Sequence, residues 1–99
     1  VIFIHDCLPN NVFDQAIPRC KYIWNGDVWK AIVEFRTLDH VDTYTCYADM
    51  GIGVILKSKN KKKLKIDIKD FEKLKFSDYF KNFKEYMNIV EYDELGNLF

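Results

Sequence analysis

Four apolar residues in succession, Val1-Ile2-Phe3-Ile4, run straight into the polar turn His5-Asp6-Cys7-Leu8-Pro9-Asn10-Asn11. A β-rich run with no polar alternation is the pattern of a strand covered on both faces, as in a parallel sheet, and such a strand needs neighbours. The turn that follows sits at the strand's carboxyl end, the edge at which open α/β sheets hold their ligands. A chain that starts at full strand hydrophobicity, without a leader, is expected to be a piece of a longer protein, because the first residues of an intact domain usually fray.

The remaining pattern fills in the elements. Residues 12–24 have no clean period, and Pro18 disfavours the helical region for Ile17, which leaves a loop with at most one short helical turn, able to form a lid. From Asp27 to Leu38 the spacing of Val28, Ala31, Ile32, Phe35 and Leu38 predicts an amphipathic helix, with Asn25 or Asp27 as its cap. Residues 41–48 (VDTYTCYA) and 52–57 (IGVILK) read as two strands of a hairpin, with Asp49, Met50, Gly51 and Gly53 supplying its turn or a bulge. Residues 57–65 carry six lysines and no acid, the composition of a solvated basic linker. Beyond it, 67–74 suggests a helical turn, and Ser77 caps a helix to about Asn88. On that helix Phe76, Tyr79, Phe80, Phe83, Tyr86, Met87 and Val90 form one aromatic docking face. Residues 66–99 are thus a C-terminal helical tail, and the fold class is α/β.

Composition removes several function classes. Fifteen basic against 15 acidic side chains leave no net charge to steer a polyanion, and no basic residues interleave with the aromatic stripe, so nucleic acid is not an expected partner. The apolar runs are far shorter than the ~20 residues that cross a bilayer, so no membrane partner is expected. Cys7, Cys20 and Cys46 are odd in number and widely spaced, which suggests neither a disulfide framework nor a zinc knuckle and fits a reducing cytoplasm. A zinc site from His5, Cys7 and His40 lacks the usual spacing and a fourth ligand, and Cys7 has no evident partner base as a nucleophile. The single GxG, Gly51-Ile52-Gly53, lies in the hairpin rather than between a strand and a helix and reads as turn chemistry.

In order along the chain, IHDCLPN (4–10), WNGDVWK (24–30), YADMGIGVI (47–55) and FKEYMNIVEYDEL (83–95) resemble the C-terminal third to half of bacterial class I S-adenosylmethionine-dependent methyltransferases of the small-molecule and glycan-associated kind. The resemblance implies the C-terminal half of a Rossmann-like methyltransferase sheet, with residues 1–99 one partial, acceptor-side domain. In that fold the fifth and sixth strands flank a reversed seventh. Residues 1–4 should therefore pair antiparallel with 52–56, with 41–48 on the far side of that strand. The glycine-rich turn and the acidic residue that hold S-adenosylmethionine in the family are not in this sequence. The implied partners are the remaining N-terminal part of the same protein and a small-molecule or sugar acceptor, and a homo-oligomer is compatible.

The candidate site follows. Related metal-dependent O-methyltransferases carry two adjacent acids at the end of the first of these strands, where magnesium orients the acceptor hydroxyl. Asp6 matches the second and His5 replaces the first, which leaves room for a different divalent metal at Asp6, or none. His5 is alternatively a general base, its ordinary pKa suiting proton removal at neutral pH. The structural alternative is a turn capped by Asp6 with His5 packed beneath the loop. Trp24 and Trp29 could wall an acceptor pocket, with Asp27 or Lys30 as its polar handle. Equally, Trp29 packs on the sheet, Asp27 favours the helix start and Lys30 reaches to water. A second function class competes with the transferase: a non-catalytic interaction module, or a domain appended to a glycosyltransferase.

Overall fold

In the computed structural model residues 1–19, 25–48 and 50–98 are described. Strands β1 (Ile2–Ile4), β2 (Asp42–Cys46), β3 (Ile52–Leu56) and β4 (Ile89–Val90) form a mixed sheet in the order β1-β3-β2-β4, with helices α1 (Val12–Gln15), α2 (Val28–Arg36) and α3 (Phe76–Met87). β3 runs antiparallel to both neighbours, with Ile2 opposite Ile55 on one side and Thr43 opposite Ile55 on the other. The expected pairing of 1–4 with 52–56, and of 41–48 beyond it, is what the sheet contains. The expectation of a strand covered on both faces among parallel neighbours is corrected. β1 is the outermost strand of the described sheet, its one ladder is antiparallel, and Val1, Ile2 and Phe3 are 66, 59 and 57 % exposed.

The hairpin turn closes by close approach of backbones. Gly51 has φ +88°, and a Cβ there would lie 2.5 Å from the Leu8 backbone nitrogen, so only glycine fits. The turn takes the place of a fourth neighbour for the segment after β1, since Cys7 N donates to Gly51 O at 3.0 Å and Leu8 N to Met50 O at 2.9 Å. Gly53 is tight for a different reason: a Cβ would meet Ile32 Cδ1 of α2 at 2.8 Å and Cys7 Sγ at 3.1 Å. The GxG is thus filled by packing on both glycines.

α2 starts and ends close to its predicted bounds but turns a different face inward. Trp29, Ile32, Val33 and Arg36 are buried, a stripe of the same helical period rotated from the predicted one, and Ala31 faces solvent. The indole is the largest apolar group on the helix, and burying it outweighs burying an alanine methyl. Neither Asn25 nor Asp27 caps α2 through its side chain. Asp27 occupies the cap position without a side-chain bond, and Asn25 Nδ2 donates to Met50 O at 3.4 Å.

The lysine-rich segment 57–65 exposes its lysines but fixes its backbone to the end of α2. Asn60 Nδ2 donates to the carbonyls of Arg36 (2.9 Å) and Leu38 (2.7 Å), Leu64 N donates to Arg36 O (2.9 Å), and the Leu64 side chain is buried. Two orphan carbonyls at a helix end are satisfied this way. Arg36 in turn reaches back, donating to Lys62 O and, at 3.1 Å, to Glu85 O of α3.

α3 begins two residues earlier than predicted, with Lys75 rather than Ser77 in the cap position. Asp78 Oδ2 accepts from Lys75 N at 2.9 Å, so Asp78 rather than Ser77 closes the start. Asn88, at φ 50°, ends the helix, and its Nδ2 donates to Thr43 O at 3.1 Å. This turns the chain into β4, which pairs parallel with β2 (Thr45 with Ile89, Cys46 with Val90). Val90 therefore leaves the predicted aromatic face for the sheet, and Phe80, at 68 % exposure, leaves it for solvent. The core lies between sheet, α2 and α3, where the Trp29 and Tyr79 rings stand 5.2 Å apart. The Cα radius of gyration is 13.0 Å, close to the ~13 Å of a compact chain this long. No helix of the described residues is long and apolar enough to cross a membrane.

Candidate functional site

β1 and β2 both run antiparallel to β3, so their carboxyl ends share one edge of the sheet, and the chain gathers its polar turns there. After β1, Asp6 takes φ 62°, in the left-handed region that Asp and Asn tolerate better than other side-chain-bearing residues. This reverses the chain so that Cys7 turns inward. His5 and Asp6 are brought together, with His5 Nδ1 3.8 Å from Asp6 Oδ1, and the pair is open to solvent at 68 and 38 % side-chain exposure. Such an exposed pair can take a proton from a bound hydroxyl.

A metal at Asp6 needs further donors. Among the described residues no group of three His, Cys, Asp or Glu side chains converges, so the donor set does not fit a magnesium or zinc ion and no step is drawn through one. The one GxG offers no cradle for S-adenosylmethionine either, because its two glycines are packed against Leu8, Ile32 and Cys7. Cys7 itself is fully buried, and burial pushes its thiol up to about 11, away from nucleophilic chemistry.

The second predicted group assembles elsewhere. Asn11 caps α1 by accepting from the Phe13 and Asp14 amides. The Asp14 carbonyl then accepts from Asn25 N (2.6 Å) and Gly26 N (3.2 Å), which brings α1 against the start of α2. Asp27 and Lys30 flank a cleft of about 390 Å³ shared with Gln15 and Phe76. Lys30 Nζ lies 3.9 Å from Asp27 Oδ2, donates to Glu72 O at 2.9 Å, and stands 5.8 Å from the Trp29 ring centroid. Its charge therefore ties α2 to the 3₁₀ turn Phe71–Lys73. Trp29 is corrected from pocket wall to core: it is fully buried, and its Nε1 donates to Gln15 Oε1 at 3.3 Å. Trp24 lies outside the described residues, as do Cys20 and Asp49. The walls of the Asp27 and Lys30 cleft include neither His5 nor Asp6.

Two smaller concavities, of about 170 and 140 Å³, open at the ligand edge and share Leu8, Asn10 and Tyr47. The second is walled by α3, through Phe76, Tyr79, Phe80 and Phe83. These residues are legible in the sequence only as a docking face. The available signal is the surplus of aromatic side chains over what one helix stripe can bury, together with Asn10 in a turn at the ligand edge. Compared with known proteins, the chain matches no family model, no curated protein and no solved structure.

Proposed function

We propose that this chain is the acceptor-side portion of an S-adenosylmethionine-dependent O-methyltransferase with a Rossmann-like sheet, acting on a small molecule or sugar. The observation that carries the reading is the strand order β1-β3-β2 with β3 reversed against both neighbours. That is the fifth, seventh and sixth strand arrangement that the sequence resemblance implies, and reversing a strand inserted between two like-directed ones is a specific topology. The exposed outer strand β1 supports it as well, since the reading places a further parallel strand there. In this reading Asp6 and His5 position and deprotonate the acceptor hydroxyl, and methyl transfer gains mostly from alignment of the reacting atoms. The cofactor is held by a segment encoded with this one, and the reaction belongs to the cytoplasm.

Calorimetric titration with S-adenosylmethionine tests the reading. The 99-residue chain should bind weakly or not at all, and a longer product that includes the preceding coding segment should bind in the micromolar range. Micromolar binding by the 99-residue chain, or none by the longer one, overturns it and favours a module that pairs through its outer strand.

A further inference from the structure

The aromatic cleft between α3 and the turn after β1 has a composition that core packing does not require. Tyr79 is 5 % exposed, and its ring is fixed by neighbours at 5.2 Å (Trp29), 5.4 Å (Phe76) and 5.9 Å (Phe83). Its hydroxyl is not among the buried polar atoms left without a partner, so it is the one part of this ring that keeps access to solvent, where a ligand can reach it. Phe80 is 68 % exposed, and its ring centroid lies 6.4 Å from that of Phe76. Tyr47, 60 % exposed at the end of β2, stands on the opposite wall with Asn10.

We infer that this cleft binds an uncharged, hydroxyl-bearing ring, with the Tyr79 hydroxyl as its hydrogen-bonding anchor and Phe76 and Phe80 against its face. Among the described residues no charged side chain lines the cleft, so none of them would pair an ionised ligand there. Aromatic faces accept either a flat aromatic ring or the C–H face of a sugar. The Asn10 amide and the Tyr47 hydroxyl supply both donor and acceptor for the ring's hydroxyls. Size agrees: the cleft measures about 140 Å³ and adjoins one of about 170 Å³, while an apolar cavity of about 150 Å³ holds one benzene. Burial holds the Tyr79 phenol protonated well into the alkaline range, which keeps it a donor. That the bound ring is the methyl acceptor rests on the transferase reading; that it binds does not.

The test is saturation-transfer and chemical-shift NMR on the 99-residue chain with methyl β-glucopyranoside, p-cresol and, as the charged counterpart, 4-methylbenzoate. At least one neutral ring should bind at millimolar concentration, with shifts centred on Tyr47, Tyr79 and Phe80, and 4-methylbenzoate should not. Whichever neutral ring binds better identifies a sugar or a phenol as the source. Tyr79→Phe should leave the thermal midpoint unchanged, because the hydroxyl it removes keeps access to solvent, and weaken binding by about three- to tenfold. Phe80→Ala, at an exposed position, should weaken it similarly without unfolding the chain. No saturation transfer from either neutral ring at tens of millimolar overturns the inference, as does binding that survives both substitutions. Ring binding in a protein whose longer form ignores S-adenosylmethionine would sink the transferase and leave this site standing.

Discussion

Cys7 Sγ donates to the carbonyls of Ile4 at 3.3 Å and His5 at 3.7 Å, and its backbone amide to Gly51, so one residue closes the turn after β1 on three sides. Burial raises its pKa from the ordinary 9.0 to about 11. The folded state therefore holds this proton more tightly than the unfolded chain does. Below pH ~9 both states keep it and stability does not depend on it; between ~9 and ~11 the unfolded chain ionises first and stability falls. Two units correspond to at most about 3 kcal/mol. The thermal midpoint should accordingly drop more steeply from pH 9 to 11 in the wild type than in Cys7→Ser, whose hydroxyl keeps the donor and does not titrate. Comparing the two slopes removes the parallel contributions of Cys46 and of Tyr44, whose phenol is pushed up to about 12 by burial and by Asp42. Equal slopes would show that the thiol ionises alike in both states.

At the scale of elements, the lysine-rich segment is the clearest case of composition hiding structure. Six lysines point to solvent, as their charge requires, while Asn60 between them is buried and holds the last carbonyl of α2 and that of Leu38 just beyond it. Asn60→Ala should cost about 1–3 kcal/mol, because it leaves buried acceptors without donors. Lys59→Gln and Lys61→Gln should stay within about 0.5 kcal/mol. Urea unfolding of the three variants checks this, and an Asn60→Ala midpoint equal to the lysine variants would return the segment to a simple linker. The same contrast explains what the sequence could show. Periodicity located α2, α3 and the hairpin within a few residues, because burial leaves its period in the residue order. Which face of α2 turned inward depended on a partner, Tyr79, lying 50 residues away, and β4 is two residues long, too short to carry a period. His5 and Asp6 were legible as a pair because they adjoin a strand end. The cleft walled by Tyr79 was not, since its walls come from separate elements and meet only in the fold.

For the whole molecule the open question is what lies against β1. Ile2 and Phe3 are 59 and 57 % exposed, yet their ladder partners Ile55 and Val54 are 5 and 0 % exposed, so the sheet passes from fully covered to mostly open across one strand spacing. An outer strand this apolar invites another strand, and a net charge of zero supplies no repulsion to keep copies apart. Ile2→Lys separates the two states of that edge. In the 99-residue chain the substituted side chain stands in water, so stability should change by less than about 0.5 kcal/mol and self-association, read by sedimentation, should fall. In the longer product the transferase reading covers this position. There the substitution forfeits about 1.5–3 kcal/mol of isoleucine burial and forces an ammonium toward the core, so the urea midpoint should drop clearly. A substitution that is harmless in both products would mean that the sheet ends at β1, and it would remove the structural continuity on which the methyltransferase reading depends.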